Sequence, residues 1–595
     1  MKEVTEAYKE SMASTLRNRS YALITFENIN SRVYTEGHYA YYETVTDFSE
    51  LETLWYDYAY PGTVATLEHN RWALDGSNYV LPDEDTIVRD GVLWEDTSDL
   101  RGDFSHAPGI SYNFTKPADI LGFTFKFDPQ TGEYPKTVQI KIKYEDPDAT
   151  ETITVSPTSP TVEVEVKKIA VKGFSILFFS MGINYRRARL KTVYCGMVDV
   201  YGNDEIVSIT QKHDIDPLSR RLPQENLSFT ILDYEQHFNP ENDEGFYDMT
   251  NGAAPVVAEF GYELDDGTIE WLKSDRYVLS GKPVIDNYQV TFNAQGLIGS
   301  MSDVYYKSQL GEKSFYNMAL AVLQDANLRP TPTGNDPWDI DESLQSLYTT
   351  AYLPVDTHMN CLQLIAHACG CQLYSDDDNV IHIRPFSAAA EPTDFVLPMG
   401  DMYEGSPVVD KIDKLKQITV AKYTYVKSDS VSTLFSETTN KTSLHVDFSS
   451  PADDVTITVT DGSVLTSAIY AQAVDLTLTT GTKTVEITGK TISQSSVILT
   501  FNYASEGETD VEENPLITSD AMAEALAAHV ADYLQYRNTY TVDYRGNPEL
   551  ETKDIIHLET PFSRKDDTTV PSLVLTDEID FNGALSGHLT LKGLI

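Results

Sequence analysis

Few residues in this chain have a spacing that suggests chemistry. Cys361, His367, Cys369 and Cys371 lie close together and invite a zinc reading. A structural zinc site wants paired C-x2-C ligands, which this run lacks. Cys361-Leu362-Gln363-Leu364-Ile365-Ala366 instead reads as the buried face of a helix, where a free cysteine behaves as a small hydrophobe. Four cysteines in 595 residues are too few for a disulfide framework. The twelve histidines are scattered, and His358 and His367 stand nine residues apart on one expected helix. No P-loop, GxGxxG, HExxH or GxSxG occurs. The 91 acidic residues always supply candidate carboxylate pairs, but sequence does not show their separation. Ser375-Asp376-Asp377-Asp378-Asn379 resembles a calcium loop without the downstream Gly and Glu, so it reads as a hairpin turn. The expectation is a protein that is not an enzyme and has no metal site and no cofactor.

The elements that carry these residues are mostly strands. Alternating runs recur, as in Thr137-Val138-Gln139-Ile140-Lys141-Ile142-Lys143-Tyr144 and Val162-Glu163-Val164-Glu165-Val166. Turn clusters such as Asp75-Gly76-Ser77-Asn78 and Asp265-Asp266-Gly267 separate them. Four segments read as helix: 4–17, 314–326 opening at Ser314, 357–369 opening at Thr357, and 519–537 opening at Ser519. Serine and threonine are good N-caps because their side-chain oxygen accepts an orphan backbone N–H.

Length and charge bound the rest. At about 150 residues per domain, 595 residues imply about four domains. The formal charge is −47, which argues against general affinity for nucleic-acid phosphates or anionic lipid. No apolar run is long enough for a transmembrane helix, and the polar start lacks a signal-peptide core. A soluble protein made in a cytoplasm is expected. The 36 tyrosines suit pleated strands, and they also suit half-wet interfaces or sugar contacts. Sequons at Asn18, Asn113, Asn226 and Asn440 carry no weight without a secretion signal. Residues 427–513 are Ser/Thr-rich, hold four lysines and no arginine, and end in an acidic run, as a small inserted β module would.

Three segments resemble the hub or tail-tip proteins of tailed bacteriophages and related particles. The first is Arg17-Asn18-Arg19-Ser20-Tyr21-Ala22-Leu23-Ile24-Thr25-Phe26. The second is Glu225-Asn226-Leu227-Ser228-Phe229-Thr230-Ile231-Leu232-Asp233, then Phe238-Asn239-Pro240 and the strand from Pro255 to Tyr262. The third runs from Asn514-Pro515 through the Ala-rich helix and Asp543-Tyr544-Arg545-Gly546-Asn547-Pro548 to the closing Leu589-Thr590-Leu591-Lys592-Gly593. Gly546 permits a tight bend there, and Pro548 ends pairing.

A different module, about 47–197, resembles a discoidin-type (F5/8 type C) jelly roll, on Leu67-Glu68-His69-Asn70-Arg71-Trp72-Ala73-Leu74-Asp75-Gly76, Trp94, Ile110-Ser111-Tyr112 and Arg186-Arg187-Ala188-Arg189. That resemblance implies a glycan-binding loop end, with candidate contacts Trp72, Asp75, Trp94, Arg101 and His106. Core packing is weighed above sugar stacking for Trp72 and Trp94, because tryptophan is more often buried. A tight turn is weighed above a ligand contact for Asp75, and paired charge above an anionic surface for Arg186, Arg187 and Arg189.

The expected fold is therefore mainly β with a few short helices. It is multidomain, with barrel or sandwich hub domains and a jelly-roll sandwich. The division is 1–46 (opening helix and strand), 47–197 (jelly roll), 198–310 (first hub β domain), 311–426 (helix/β hub domain), 427–513 (inserted module) and 514–595 (C-terminal helix and strands). The resemblance implies a homotrimeric virion protein, made in the bacterial cytoplasm, that closes the tail tube. Its partners would be a tail-tube or distal tail protein, the tape-measure protein and a host surface glycan. The genome would pass through without sequence-specific contact. A lysin would need a peptidase domain beyond the closing strand. The alternative is a carbohydrate-binding or carbohydrate-active protein directed at a cell-surface polysaccharide.

Overall fold

The computed structural model describes residues 1–29, 37–46, 68, 92–127, 132–144, 146, 149–234, 236–242, 247, 254–272, 275–326, 328, 336–377, 379–386, 392–561 and 569–594. The chain is mainly β, with short helices between many sheets. No helix among the described residues is long and apolar enough to cross a membrane.

The largest sheet draws strands from the start, middle and end of the chain into a barrel. Ser20–Ile29 pairs antiparallel with Pro255–Glu263. The ladder continues through Asp275–Leu279, Gln289–Gln295, Gln224–Leu232 and Ile206–Asp214. From there it crosses to Thr569–Phe581, Leu585–Gly593, Asn538–Tyr544 and Val408–Lys411. Alternation places one face of each strand inside. Phe26, Phe229, Phe238 and Phe292 meet there, with Phe292 centred 5.0, 5.1 and 4.9 Å from Phe26, Phe229 and Phe238.

A second core is built on helices Phe315–Asp325, His358–Ala368 and Asp520–Leu534. Ser314, Thr357 and Ser519 each accept a hydrogen bond from the backbone N–H three residues on, as N-caps do. The opening helix is shorter than the 4–17 expected. It runs Glu6–Met12, capped by Thr5, and packs Tyr8 and Met12 on Tyr262 and Leu272.

A β sandwich is the third body. Gly109–Lys126 pairs with Thr161–Ser180 and Gly37–Tyr42, and Thr137–Lys143 pairs with Thr150–Val155 and Thr161–Ser180. Its core holds Trp94, Phe123, Phe125, Phe174 and Phe178. Two expected divisions differ from this arrangement. Gly37–Tyr42 already belongs to the sandwich, ahead of position 47. Thr192–Tyr201 runs across position 197, and one end pairs with Gly109–Lys126 while the other pairs with Ser20–Ile29. A long strand can serve two sheets because each length of its edge is a separate set of donors and acceptors. A smaller core under Leu444, Val446, Val474, Leu476, Val485 and Ile487 lies within the Ser/Thr-rich segment. Its strand Lys483–Asn502 continues onto the second core, where Leu499 and Phe501 pack.

Candidate functional site

Of the residues chosen from sequence for sugar contact, the structure describes Trp94, Arg101 and His106. Trp72 and Asp75 lie outside the described residues. Trp94 is a correction: it is fully buried, its indole N–H donates to the Tyr42 carbonyl at 2.9 Å, and Phe178 packs edge-on at 5.3 Å. A ring with both faces against protein offers no platform for a sugar. Arg101 and His106 are exposed on a loop shaped by Asp99, whose carboxylate accepts from the Arg101 and Asp103 N–H groups at 2.7 and 3.0 Å. Arg186 donates to Glu133 at 3.0 Å and Arg189 pairs with buried Glu68, so these two take the paired-charge reading.

The three hub-like segments do converge. Asp233 ends its strand with a buried carboxylate that accepts from the His237 and Phe238 N–H groups, both at 2.9 Å. Those bonds turn the chain so that Phe238 drops into the barrel core beside Phe26. Gly546 has φ +69°, and a Cβ there would meet the Ser586 backbone at 3.0 Å. Arg17 donates to the Arg545 and Gly546 carbonyls at 2.9 and 2.7 Å, and Tyr8 to Asn547 at 2.9 Å. The opening arm is thus bound to the bend near the chain's end. A cavity of about 830 Å³ remains between them, lined in part by Met12, Arg17, Phe395, Asp401, Tyr544 and Arg545.

A polar seam, missed in the sequence reading, joins the barrel to the second core. Lys2 donates to Asp275 at 2.9 Å, and both are buried. Gln211 donates to Asp275, and to the Tyr277 hydroxyl at 2.7 Å; the same hydroxyl lies 2.6 Å from His213 Nε2. From the other side, Ser375 donates to Glu225 at 2.5 Å through its hydroxyl and at 3.3 Å through its backbone N–H. The only signal in sequence is the acidic turn at 376–378, beside expected hairpin strands. Its partners are too distant in sequence to be named.

Among the described residues no group of three His, Cys, Asp or Glu side chains could hold a metal ion. Cys361 and Cys371 are buried, and burial pushes both thiols up to about 12, away from the reactive thiolate.

No family model matches the chain, and no curated protein matches it. Solved structures do resemble it. The tail protein from Neisseria meningitidis is 8% identical, with a TM-score of 0.37 over 66% of this chain and 93% of that one. The 43 kDa tail protein of prophage MuSo2 from Shewanella oneidensis is 9% identical, with a TM-score of 0.37 over 67% and 96%. A component of the Escherichia coli type VI secretion system is 7% identical, with a TM-score of 0.31 over 65% and 73%.

Proposed function

We propose that this chain is a structural protein of a phage tail tip, a hub that closes the tail tube. The observation that carries the reading is the joining of the three hub-like segments in one barrel, where Phe26, Phe229 and Phe238 share a core and Ile209 registers with Phe581. Segments that resemble a single kind of protein in order along the chain also pack as a single body. In this reading the hub is a homotrimer that contacts a tail-tube or distal tail protein and the tape-measure protein, and opens for DNA ejection. The sandwich sits outside the hub, against neighbouring tip proteins, with a share in host attachment. The work is mechanical rather than catalytic.

The charge suits that role. Three copies would carry about −140 formally, and acidic walls repel the DNA backbone so that it slides without sticking. Light scattering of the purified chain, alone and with its tail proteins, tests the assembly. A trimer, or a monomer that assembles only with tail proteins, is expected. A monomer that ignores tail proteins and retains or cleaves a polysaccharide would overturn the reading.

A further inference from the structure

The strand Lys483–Asn502 is paired differently along its two halves. Its first half lies between Ser432–Thr439 and Ala452–Thr460. From Ile492 to Asn502 it pairs, among the described residues, with Leu415–Lys427 alone. Leu499 and Phe501 anchor that second half on the second core.

The register shows which backbone groups stay outside. Tyr503 donates to the Lys416 carbonyl and Ser428 to the Thr491 carbonyl, both at 2.8 Å, so odd-numbered residues bond towards Leu415–Lys427. Ile492 donates the other way, to the Pro451 carbonyl at 2.7 Å. Along an antiparallel ladder this direction alternates residue by residue. Gln494, Ser496, Ile498, Thr500 and Asn502 therefore aim N–H and C=O along an open edge. Among the described residues these groups meet no hydrogen-bond partner. Residues 493–498 are all exposed, Val497 by 59% and Ile498 by 68%.

A long open edge is a template for another strand, and proteins ordinarily guard such edges with charge or proline. Two other edges of this chain are guarded. Val408–Lys411, which pairs with Asn538–Tyr544, follows Pro407 and contains Asp410 and Lys411. Glu508–Glu513, on the far side of Leu415–Lys427, carries Glu508, Asp510, Glu512 and Glu513. The open edge has no guard. No charge and no proline occurs from Thr491 to Ser505, in a chain that is 23% charged. Val497, Ile498 and Thr500 are β-branched and suit a pleated partner.

We propose that Gln494–Asn502 is a docking edge that takes an extended segment of a neighbouring tail protein, free of acidic residues, as one more strand of the sheet. The seat is about 30 Å long, and Pro451, bonded to Ile492, bounds one end of it. Charge and symmetry select the occupant. A chain of −47 repels an acidic segment. Pairing of this edge with itself in a second copy needs a two-fold axis, which a trimer lacks. Pairing with the next copy's Glu508–Glu513 would bring an acidic strand. The choice of occupant rests on the hub reading; the open edge does not.

Fluorescence anisotropy with the full chain tests the edge. The probe is a short peptide of alternating valine and threonine with a lysine at each end. It should bind, and should protect the amides of Gln494, Ser496 and Ile498 from hydrogen–deuterium exchange. The same peptide with every internal amide N-methylated has no donors for the edge and should bind at least about tenfold more weakly. A version ended by glutamates should also bind more weakly. Ser496→Pro removes one outward donor and leaves every bond to Leu415–Lys427, so the chain should fold and lose at least about tenfold in affinity. Should that variant not fold, the N-methylated peptide decides on the wild type. No binding at about 1 mM peptide overturns the docking edge, as does equal binding of the N-methylated or glutamate-ended peptide. Self-association of the chain that Ser496→Pro abolishes would make the occupant a second copy and overturn the assignment. A chain that trimerises yet ignores the peptide loses the docking edge and keeps the hub reading.

Discussion

The Nε2 of His367 lies 2.9 Å from a carboxylate oxygen of Glu512, with both side chains buried where the second core meets the inserted segment. The other ring nitrogen is 3.1 Å from the Asn514 amide, and Arg220 closes on Glu512 and, at 2.5 Å, on Asp510. Burial would raise the Glu512 carboxyl, but His367 and Arg220 outweigh it and hold it below the usual range. A carboxyl lowered on folding contributes stability that is present at neutral pH and lost as pH falls through its folded value. Glu512→Gln should cost about 1–3 kcal/mol at neutral pH, because His367 and Arg220 lose their hydrogen bonds to a charged carboxylate. It should also flatten the acid limb of a stability–pH profile, read by denaturant unfolding at stepped pH.

The helix Asp520–Leu534 faces the second core with Leu526 and Val530, which are 2% and 0% exposed. Leu526→Ala should cost about 2–5 kcal/mol through lost burial and the cavity left behind. Leu526→Asp or Val530→Asp should abolish soluble folding, since an unpaired charge would sit in that core. Soluble yield and circular dichroism check this, and normal folding of both Asp variants would refute the packing.

Trp94 carries the sandwich core rather than a ligand. Trp94→Ala should destabilise by about 3–5 kcal/mol. Trp94→Phe keeps most of the apolar contact and loses the bond to the Tyr42 carbonyl, so it should cost about 1 kcal/mol. Thermal unfolding followed by near-ultraviolet dichroism reads both changes.

Gly546 combines positive φ with close approach to the Ser586 backbone. Gly546→Ala should destabilise by at least about 1 kcal/mol, because backbone rather than a flexible side chain must yield. Gly132, also at positive φ but with open space around its Cβ, is the control and should cost less on substitution. Denaturant midpoints of the two variants decide.

What the residue order determined by itself was local. Ser314, Thr357 and Ser519 start their helices because a cap bonds an N–H three positions away, and strand alternation follows from which neighbours share a face. The acidic turn at 376–379 was legible as a hairpin, and Asn379 takes the left-handed conformation there. Only tertiary structure decided what those elements meet. Lys2 and Asp275 stand 273 positions apart, and His367 and Glu512 145 apart. Trp94 could be weighed as core or platform from its type, and the strands packed around it settled the matter. Thr192–Tyr201 looked like a boundary because strand propensity does not say which sheet each edge will join. Charge behaves in the same way. A total of −47 is a sum over residues, but whether a carboxyl holds its proton depends on distance through space, and the fold sets that distance.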